Sequence, residues 1–161
     1  MEIFRIRPAT PRDAAVIIDL IRQLSIYEKL EHMVTGDEAM MREALFGAKP
    51  SCECLIAEQH GKPVGFALYF TTFSTFLCKP GLYLEDLFVI PAARGKGYGK
   101  ALLKYLAGVA KARDCGRFEW RVLDWNEPSI RFYQSLGATV MPEWQLVRMT
   151  AAEIAVLAEE K

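Results

Sequence analysis

Histidine is scarce in this sequence: 161 residues hold only two, His32 and His60, far apart in the chain. The four cysteines, Cys52, Cys54, Cys78 and Cys115, contain no C-x-x-C pair. A zinc site needs tighter ligand pairs than these, so no metal is expected. Cys52 and Cys54 lie two apart in an apolar run and read as same-face strand residues packing as small hydrophobes. Long apolar runs are also missing. The stretch from Val64 to Phe70 is far too short to span a bilayer, and the start, Met1 to Arg7, is too charged for the apolar region of a signal peptide. Charge of one sign is absent as well. Lys plus Arg and Asp plus Glu each total 20, a net charge of zero, which argues against a whole-domain attraction to nucleic acid or to an anionic membrane. The expectation is a cytoplasmic protein with reduced thiols. No repeat, low-complexity tract or linker divides it, so residues 1–161 read as a single domain. A hydrophobic fraction of 52% supplies its core without staples.

The pattern of the chain alternates between strand and helix periods. Residues 3–7 alternate apolar and basic, as a half-buried strand does. Thr10, Pro11 and Asp13 supply an N-cap, a proline at the first helical position and an acid in the first turn; Ile17, Leu20, Ile21 and Leu24 follow at helical spacing. Thr35 with Glu38 reads as a capping box opening a second helix. Residues 52–58 and 63–70 flank a His60-Gly61-Lys62 turn and predict a hairpin. Residues 71–81 read as a loop, and 82–89 as a strand stopped by Pro91. A long helix is expected from about Gly97 to Cys115, with Ala101, Leu102, Tyr105, Leu106 and Val109 on one face. Then come a strand at 118–123, a short helix at 128–136 closed by Gly137, and a final strand at 144–149. The order β-α-α-β-β-β-α-β-α-β predicts an α/β (mixed α+β) domain with helices flanking a mixed sheet.

The densest chemical signal is Arg94-Gly95-Lys96-Gly97-Tyr98-Gly99, followed by Lys100, between a strand and the long helix. Glycines let backbone N–H groups approach an anion without interference from a Cβ, and the helix adds its positive N-terminal end. Arg94 and Lys96 add charge, so the run calls for a phosphate or pyrophosphate. A P-loop would need glycine where Arg94 stands and Ser or Thr where Ala101 stands. A dinucleotide fingerprint beginning at Gly95 would need glycine where Lys100 stands, after the first strand of a βαβ unit rather than after hairpins. The bland alternative is a glycine-rich surface turn with solvated charges.

Arg94-x-x-Gly97-x-Gly99 resembles the Arg/Gln-x-x-Gly-x-Gly/Ala signature of the GNAT superfamily of N-acetyltransferases. Four further stretches are similar to the spermidine/spermine acetyltransferases and their thialysine-acetylating relatives. These are Ile6-Arg7-Pro8-Ala9-Thr10, Tyr27-Glu28-Lys29-Leu30, Tyr83-Leu84-Glu85-Asp86-Leu87-Phe88-Val89, and Asp124-Trp125-Asn126-Glu127-Pro128-Ser129 with Phe132-Tyr133. The resemblance covers nearly the whole chain. It implies the GNAT fold, a mostly antiparallel sheet flanked by helices, with acetyl-CoA as co-substrate and a homodimer. Residues 94–100 would cradle its pyrophosphate. Backbone groups of the Leu87-Phe88-Val89 segment, those of Leu87 and Val89 above all, would pair with the pantetheine arm like an added strand. Asn126 and, beside it, Ser129 would contact the CoA arm.

The resemblance also distributes catalytic and substrate roles. Glu85 and Asp86 interrupt an apolar strand, where an unpaired carboxylate is costly. Adjacent strand residues face opposite sides, so the two acids are expected to have different roles. By resemblance Glu85 helps deprotonate the amine, whose pKa near ~10 leaves little nucleophilic neutral form at neutral pH. Tyr133, otherwise read as a core aromatic on an amphipathic helix, matches the acid that protonates the departing CoA thiolate and borders the cofactor. Asn126 is alternatively a helix cap. Tyr27 and Glu28 match the amine-binding pair and, without the family match, would be a solvated helix end. The 71–81 loop carries neither the acid nor the tryptophan of the polyamine enzymes. Its Ser74-Thr75-Phe76 is similar to the Ser-Thr-Trp of the thialysine enzymes, which turns the expectation toward a short amine. Direct transfer in a ternary complex is expected, since no cysteine aligns with the catalytic positions. Acetylation of a protein lysine or N-terminus, and a non-catalytic acyl-CoA sensor, stand as the alternatives.

Overall fold

The architecture is seen in a computed structural model describing residues 3–160. Met1 and Glu2, the start of the charged N-terminal stretch, and Lys161 lie outside the described residues. The chain forms two compact units, one ending at Arg121 and one beginning at Val122.

The first unit is a five-stranded sheet in the order β1-β2-β3-β4-β5. β1 (Phe4–Pro8), β2 (Glu53–Gln59), β3 (Lys62–Ser74) and β4 (Lys79–Val89) pair antiparallel, and β5 (Arg117–Trp120) joins β4 in parallel. The sheet is therefore mixed and mostly antiparallel, as expected. The β2–β3 hairpin turns on His60 and Gly61, with φ of 51° and 74°, the left-handed pair that matches the twist of the strands it joins.

α1 (Ala14–Glu28) and α2 (Glu38–Phe46) cover one face. Ile17, Leu20, Leu24 and Leu45 close over Cys54, Ile56, Phe66, Leu68 and Phe88 in one cluster. Cys54 is thus the small core hydrophobe its spacing predicted. α3 (Tyr98–Ala112) serves the other face, burying Leu102, Leu103 and Leu106; each contributes about 1.5–3 kcal/mol by leaving water. Tyr69, on that face, meets the Arg113 guanidinium at 5.9 Å from its ring centre.

A buried ion network ties β1 to the start of α1. Arg7 donates both terminal nitrogens to Asp13 at 2.8 Å and Nε to Glu58 at 2.7 Å, while Asp13 also accepts from the Thr10 N–H and hydroxyl. The bidentate Arg7 fork holds the Asp13 carboxyl down to about 2. The Thr10 cap is therefore real, although a short 3₁₀ turn at Pro11–Asp13 precedes α1.

Three expectations are corrected. The cap of α2 is Asp37, whose carboxylate accepts from the Met40 N–H at 2.8 Å, not Thr35; an extended Asp37 is placed correctly for this role. Residues 71–81 are not a loop. Thr71, Thr72 and Phe73 suit a strand, so β3 runs on to Ser74 and β4 starts at Lys79, leaving a turn of residues 75–78. In the second unit α4 (Glu127–Ser135) forms as expected, but residues 144–149 are not a strand. Alternation alone does not make a strand without a hydrogen-bonded neighbour, and the sheet among the described residues ends at β5. An unforeseen helix, α5 (Ala151–Glu159), follows, opened by a Thr150–Glu153 capping box. Among the described residues no helix is long and apolar enough to cross a membrane.

Candidate active site

β4 pairs with β5 only over Gly81–Leu84, so its second half presents an edge that β5 does not cover. The direction of its backbone groups can be read from the β3 side. The Phe88 carbonyl points at Gly65, where an added Cβ would meet it at 2.6 Å, and the Ile90 N–H bonds to Val64 at 2.9 Å. Backbone groups alternate along an antiparallel strand. Those of Leu87 and Val89 therefore face the uncovered edge, as an added strand requires. Phe88, expected in the same segment, is a correction. Its side chain is in the core cluster and its backbone faces β3, so it cannot touch a ligand on that edge.

The edge opens at a β-bulge. Tyr69 pairs with Leu84 and Leu68 with Asp86, leaving Glu85 as the extra residue. The bulge inverts the strand's phase, so Leu84 and Asp86, two apart, lie on opposite faces. Strict alternation therefore does not apply across the extra residue. Asp86 is brought to the face covered by α1 and α2. Glu85 is exposed.

α1 ends beside this bulge. Its last helical residue is Glu28, and Lys29, with φ of 61°, closes the helix by donating to the Ile26 carbonyl. Burial raises the Glu28 carboxyl above its ordinary range. Asp86 is pushed up to about 7, first by burial and then by the like charges of Glu85 and Glu28. Three acids predicted from three separate readings thus act on one another in the fold. Glu28 also sits in a last helical turn, where unpaired carbonyls already carry negative charge. An arrangement of this kind is electrostatically costly alone and is relieved by a cation. Half-buried Cys52 adjoins the group, its thiol raised by burial and by the charges of Glu53 and Glu85; nothing in the spacing of the cysteines pointed there. No three His, Cys, Asp or Glu side chains among the described residues are grouped to hold a metal ion.

β4 leads into the glycine loop through Pro91–Ala93. Gly95 and Gly97 have φ of 76° and 81°, conformations that favour glycine on backbone grounds alone. Gly99 is different. It sits in the first turn of α3 with no positive φ, and a Cβ there would meet no protein atom within 4 Å. The fold gives no reason for glycine, which weakens a helix relative to alanine. The unfilled space lies at the mouth of the helix, where the N–H groups of Tyr98, Gly99 and Lys100 have no intrahelical acceptor. The cradle fits an anion that approaches the backbone closely. The Tyr98 side chain is not part of it: its ring is buried and stacks on Phe4 at 3.9 Å, leaving its backbone for the anion. Lys96 reaches Gln59 at 3.4 Å. Arg94 departs from its expected orientation. Its Nε donates to the Val89 carbonyl at 2.9 Å, and its guanidinium lies over the rings of Tyr27 and Phe88.

The turn of residues 75–78, part of the 71–81 segment that turned the expectation toward a short amine, is remote from the acids along its own chain. Lys79 and Glu85 lie six steps apart along β4, about 20 Å at the rise of an extended strand.

In the second unit, Asn126 is buried and its side chain accepts from the Ser129 N–H at 3.4 Å. This is the cap geometry weighed as the alternative for Asn126, and it accounts for Ser129 being held close. Tyr133 lies on α4, half-buried, its ring 5.5 Å from that of Phe132.

Comparison with known proteins points the same way. A family model described as the Acetyltransferase (GNAT) family matches residues 21–138. The chain is 38% identical to the thialysine N-epsilon-acetyltransferase of Mus musculus, with 86% of each chain covered. It is 31% identical to the L-ornithine N5-acetyltransferase NATA1 of Arabidopsis thaliana, covering 91% of this chain and 84% of the other. Among solved structures, an integron cassette protein from the mobile metagenome of V. cholerae is 27% identical, with a TM-score of 0.81 over 98% of each chain.

Proposed function

Because this chain belongs to the GNAT acetyltransferase family and is an N-acetyltransferase, we propose that it moves the acetyl group of acetyl-CoA to the primary amine of a small cationic substrate. The observation that carries this reading is the meeting of Glu28, Glu85 and Asp86 at the bulge of β4, from which an uncovered strand edge leads to the glycine cradle. One end of that track suits a cation and the other a pyrophosphate. The names of the two relatives, for thialysine and ornithine, support a short amino-acid amine over a long polyamine. A homodimer is part of the proposal, on family resemblance.

In this reading the ammonium enters among the three acids and is held by Glu28 and Asp86. It must lose a proton before it attacks. A base works best when its pKa lies near the operating pH, and Asp86, at about 7, meets that condition. Glu85, on the exposed side of the bulge, connects the pair to water and passes the proton outward. The neutral nitrogen forms its bond to the thioester carbonyl carbon, the carbon–sulfur bond breaks, the thiolate takes a proton from the Tyr133 hydroxyl, and the second proton lost by the new amide nitrogen restores that hydroxyl through solvent. A phenol of pKa about 10 transfers to a thiol of about 8.5 only in concert with that cleavage. The Leu87 backbone and the Val89 N–H hold the pantetheine arm, residues 95–100 hold the pyrophosphate, and Asn126 and Ser129 contact the arm. Tyr27 borders the amine.

A side-by-side acetylation screen over thialysine, lysine, ornithine, putrescine, spermidine, spermine and a histone-like peptide tests the proposal. Turnover of the short amines supports it. Exclusive turnover of the peptide replaces the substrate class, and acetyl-CoA binding without turnover of any amine makes the chain a sensor.

A further inference from the structure

Arg94 stands in the glycine run, where its charge is expected to face a phosphate, yet its side chain is directed elsewhere. The Nε–H bonds to the Val89 carbonyl at 2.9 Å. That carbonyl lies on the uncovered edge of β4. The guanidinium carbon is 5.0 Å from the Tyr27 ring centre and 5.4 Å from that of Phe88. One side chain therefore touches the last turn of α1, the buried aromatic of β4 and the end of the strand edge. Arginine is suited to such a position, because its planar face stacks on rings while its edge donates to a carbonyl. Lysine offers a point charge without the plane.

We propose that Arg94 is a positioning residue for the amine, holding Tyr27, and with it Glu28, against the strand that carries Glu85 and Asp86. The inference rests on the amine-acetylating reading above. Phe88 is fixed in the core, and the Val89 carbonyl is fixed by the sheet. Tyr27, by contrast, is exposed at the end of its helix, and the Arg94 guanidinium lies over its ring. Loosening that contact spreads Glu28 over several positions and weakens its grip on an ammonium. It leaves the backbone cradle of Gly95, Gly97 and Gly99 in place. Arg94 thereby ties the loop beside the cofactor to the amine pocket, so a change there is read at the second substrate.

The test is Arg94→Lys, which keeps the charge and removes the plane, with Tyr27→Leu and the double variant. Acetyl-CoA affinity is measured by calorimetry, and the amine KM and kcat with the best substrate of the wild-type screen. The expected result is an amine KM about tenfold higher in Arg94→Lys, the loss of one stacking and one hydrogen-bonding contact. kcat and the acetyl-CoA Kd should stay within about twofold. The double variant should be no worse than Tyr27→Leu alone, because both act through one contact. A weakened acetyl-CoA affinity in Arg94→Lys, an unchanged amine KM, or additive effects in the double variant would overturn the proposal and return Arg94 to the phosphate site or to the solvent. Wild-type protein that binds acetyl-CoA but acetylates no amine is a separate outcome; it removes the functional reading first, and the positioning role with it.

Discussion

Replacing Gly99 by alanine should raise stability and lower cofactor affinity, two effects of opposite sign from one methyl group. Gly99 is helical, its φ is not positive, and no protein atom lies within 4 Å of the new Cβ. Alanine then removes the conformational freedom glycine has in the unfolded chain and improves helix propensity, together about 0.4–1 kcal/mol. For a chain of this length that is a rise in Tm of about 1–4 °C. The same methyl group fills the space at the helix mouth. A pyrophosphate pushed outward loses one charge-assisted bond to a backbone N–H, worth about 1.5–3 kcal/mol, so the acetyl-CoA Kd should rise about 10- to 100-fold. Differential scanning fluorimetry of the apo protein and calorimetry with acetyl-CoA read the two effects separately. Gly97→Val makes a poorer test, since a β-branched residue at φ of 81° strains the backbone itself; it should weaken binding greatly but also lower Tm. Unchanged affinity in Gly99→Ala would refute the cradle, and a lowered Tm would show that the fold, rather than a ligand, requires the glycine.

Glu28→Gln removes a like charge beside Asp86, so the Asp86 pKa should fall and the acidic limb of kcat/KM, expected near 7 in the wild type, should move to lower pH; an unmoved limb excludes Asp86. Glu85→Gln discriminates further: the limb shifts downward if Glu85 only repels Asp86 and disappears if Glu85 is itself the base. Tyr133→Phe keeps the ring and should lower kcat by about 10²–10⁴-fold, as loss of a general acid does, with Tm nearly unchanged; retained kcat makes Tyr133 a packing residue. Thialysine should exceed spermine in kcat/KM, and Thr75→Asp, about 20 Å along β4 from the acids of its own chain, should change that ratio only if a second copy brings the turn to the site. Asp13→Asn breaks the Arg7 fork but leaves Glu58 on Arg7, and should cost about 2–3 kcal/mol. Because the Asp13 carboxyl is held down to about 2, its contribution is present above pH 4 and fades as pH falls toward 2, so the two proteins should converge in urea midpoint over that interval.

Much of the fold was legible because local and global signals agreed. The Thr10–Asp13 cap, the His60-Gly61 turn and the apolar stripe of α3 each specify one conformation through nearby residues. The errors fall where the deciding partner is distant in sequence. Residues 71–73 and 79–81 carry ordinary strand formers beside Ser, Lys, Pro and Gly, and only pairing across the hairpin, Thr71 with Leu82 and Phe73 with Pro80, makes them strands. Residues 144–149 have the reverse history. Their alternation suits a strand, but a strand is a property of a pair, and none forms with them among the described residues. Asp37 displaced Thr35 as a cap by a difference of two positions, well within the range over which two capping residues compete for one helix end.

The site divides along the same line. Its parts were visible as residue types: acids in an apolar strand, glycines at a helix mouth, an arginine beside them. Their mutual relations were not, because an insertion of one residue in a ladder decides them. Without the bulge, Asp86 would share a face with Leu84, buried opposite the helices that bring Glu28, and the two acids could not act on each other. With it, Leu68 and Phe66 share a face with Asp86, and the carboxyl is raised toward neutrality by burial and by two neighbouring acids. The bulge also bends β4 at the point where β5 stops pairing. The extra residue follows directly on the last pair of β4 with β5, so the perturbed acid lies where the uncovered edge begins. Deleting Glu85 tests this: Leu84 already pairs with Tyr69 and Asp86 with Leu68, so the ladder becomes regular while Asp86 keeps its face and loses one like charge. Acetyl-CoA binding should survive and the acidic limb of kcat/KM should move to lower pH, and an unmoved limb would exclude Asp86 as the titrating group.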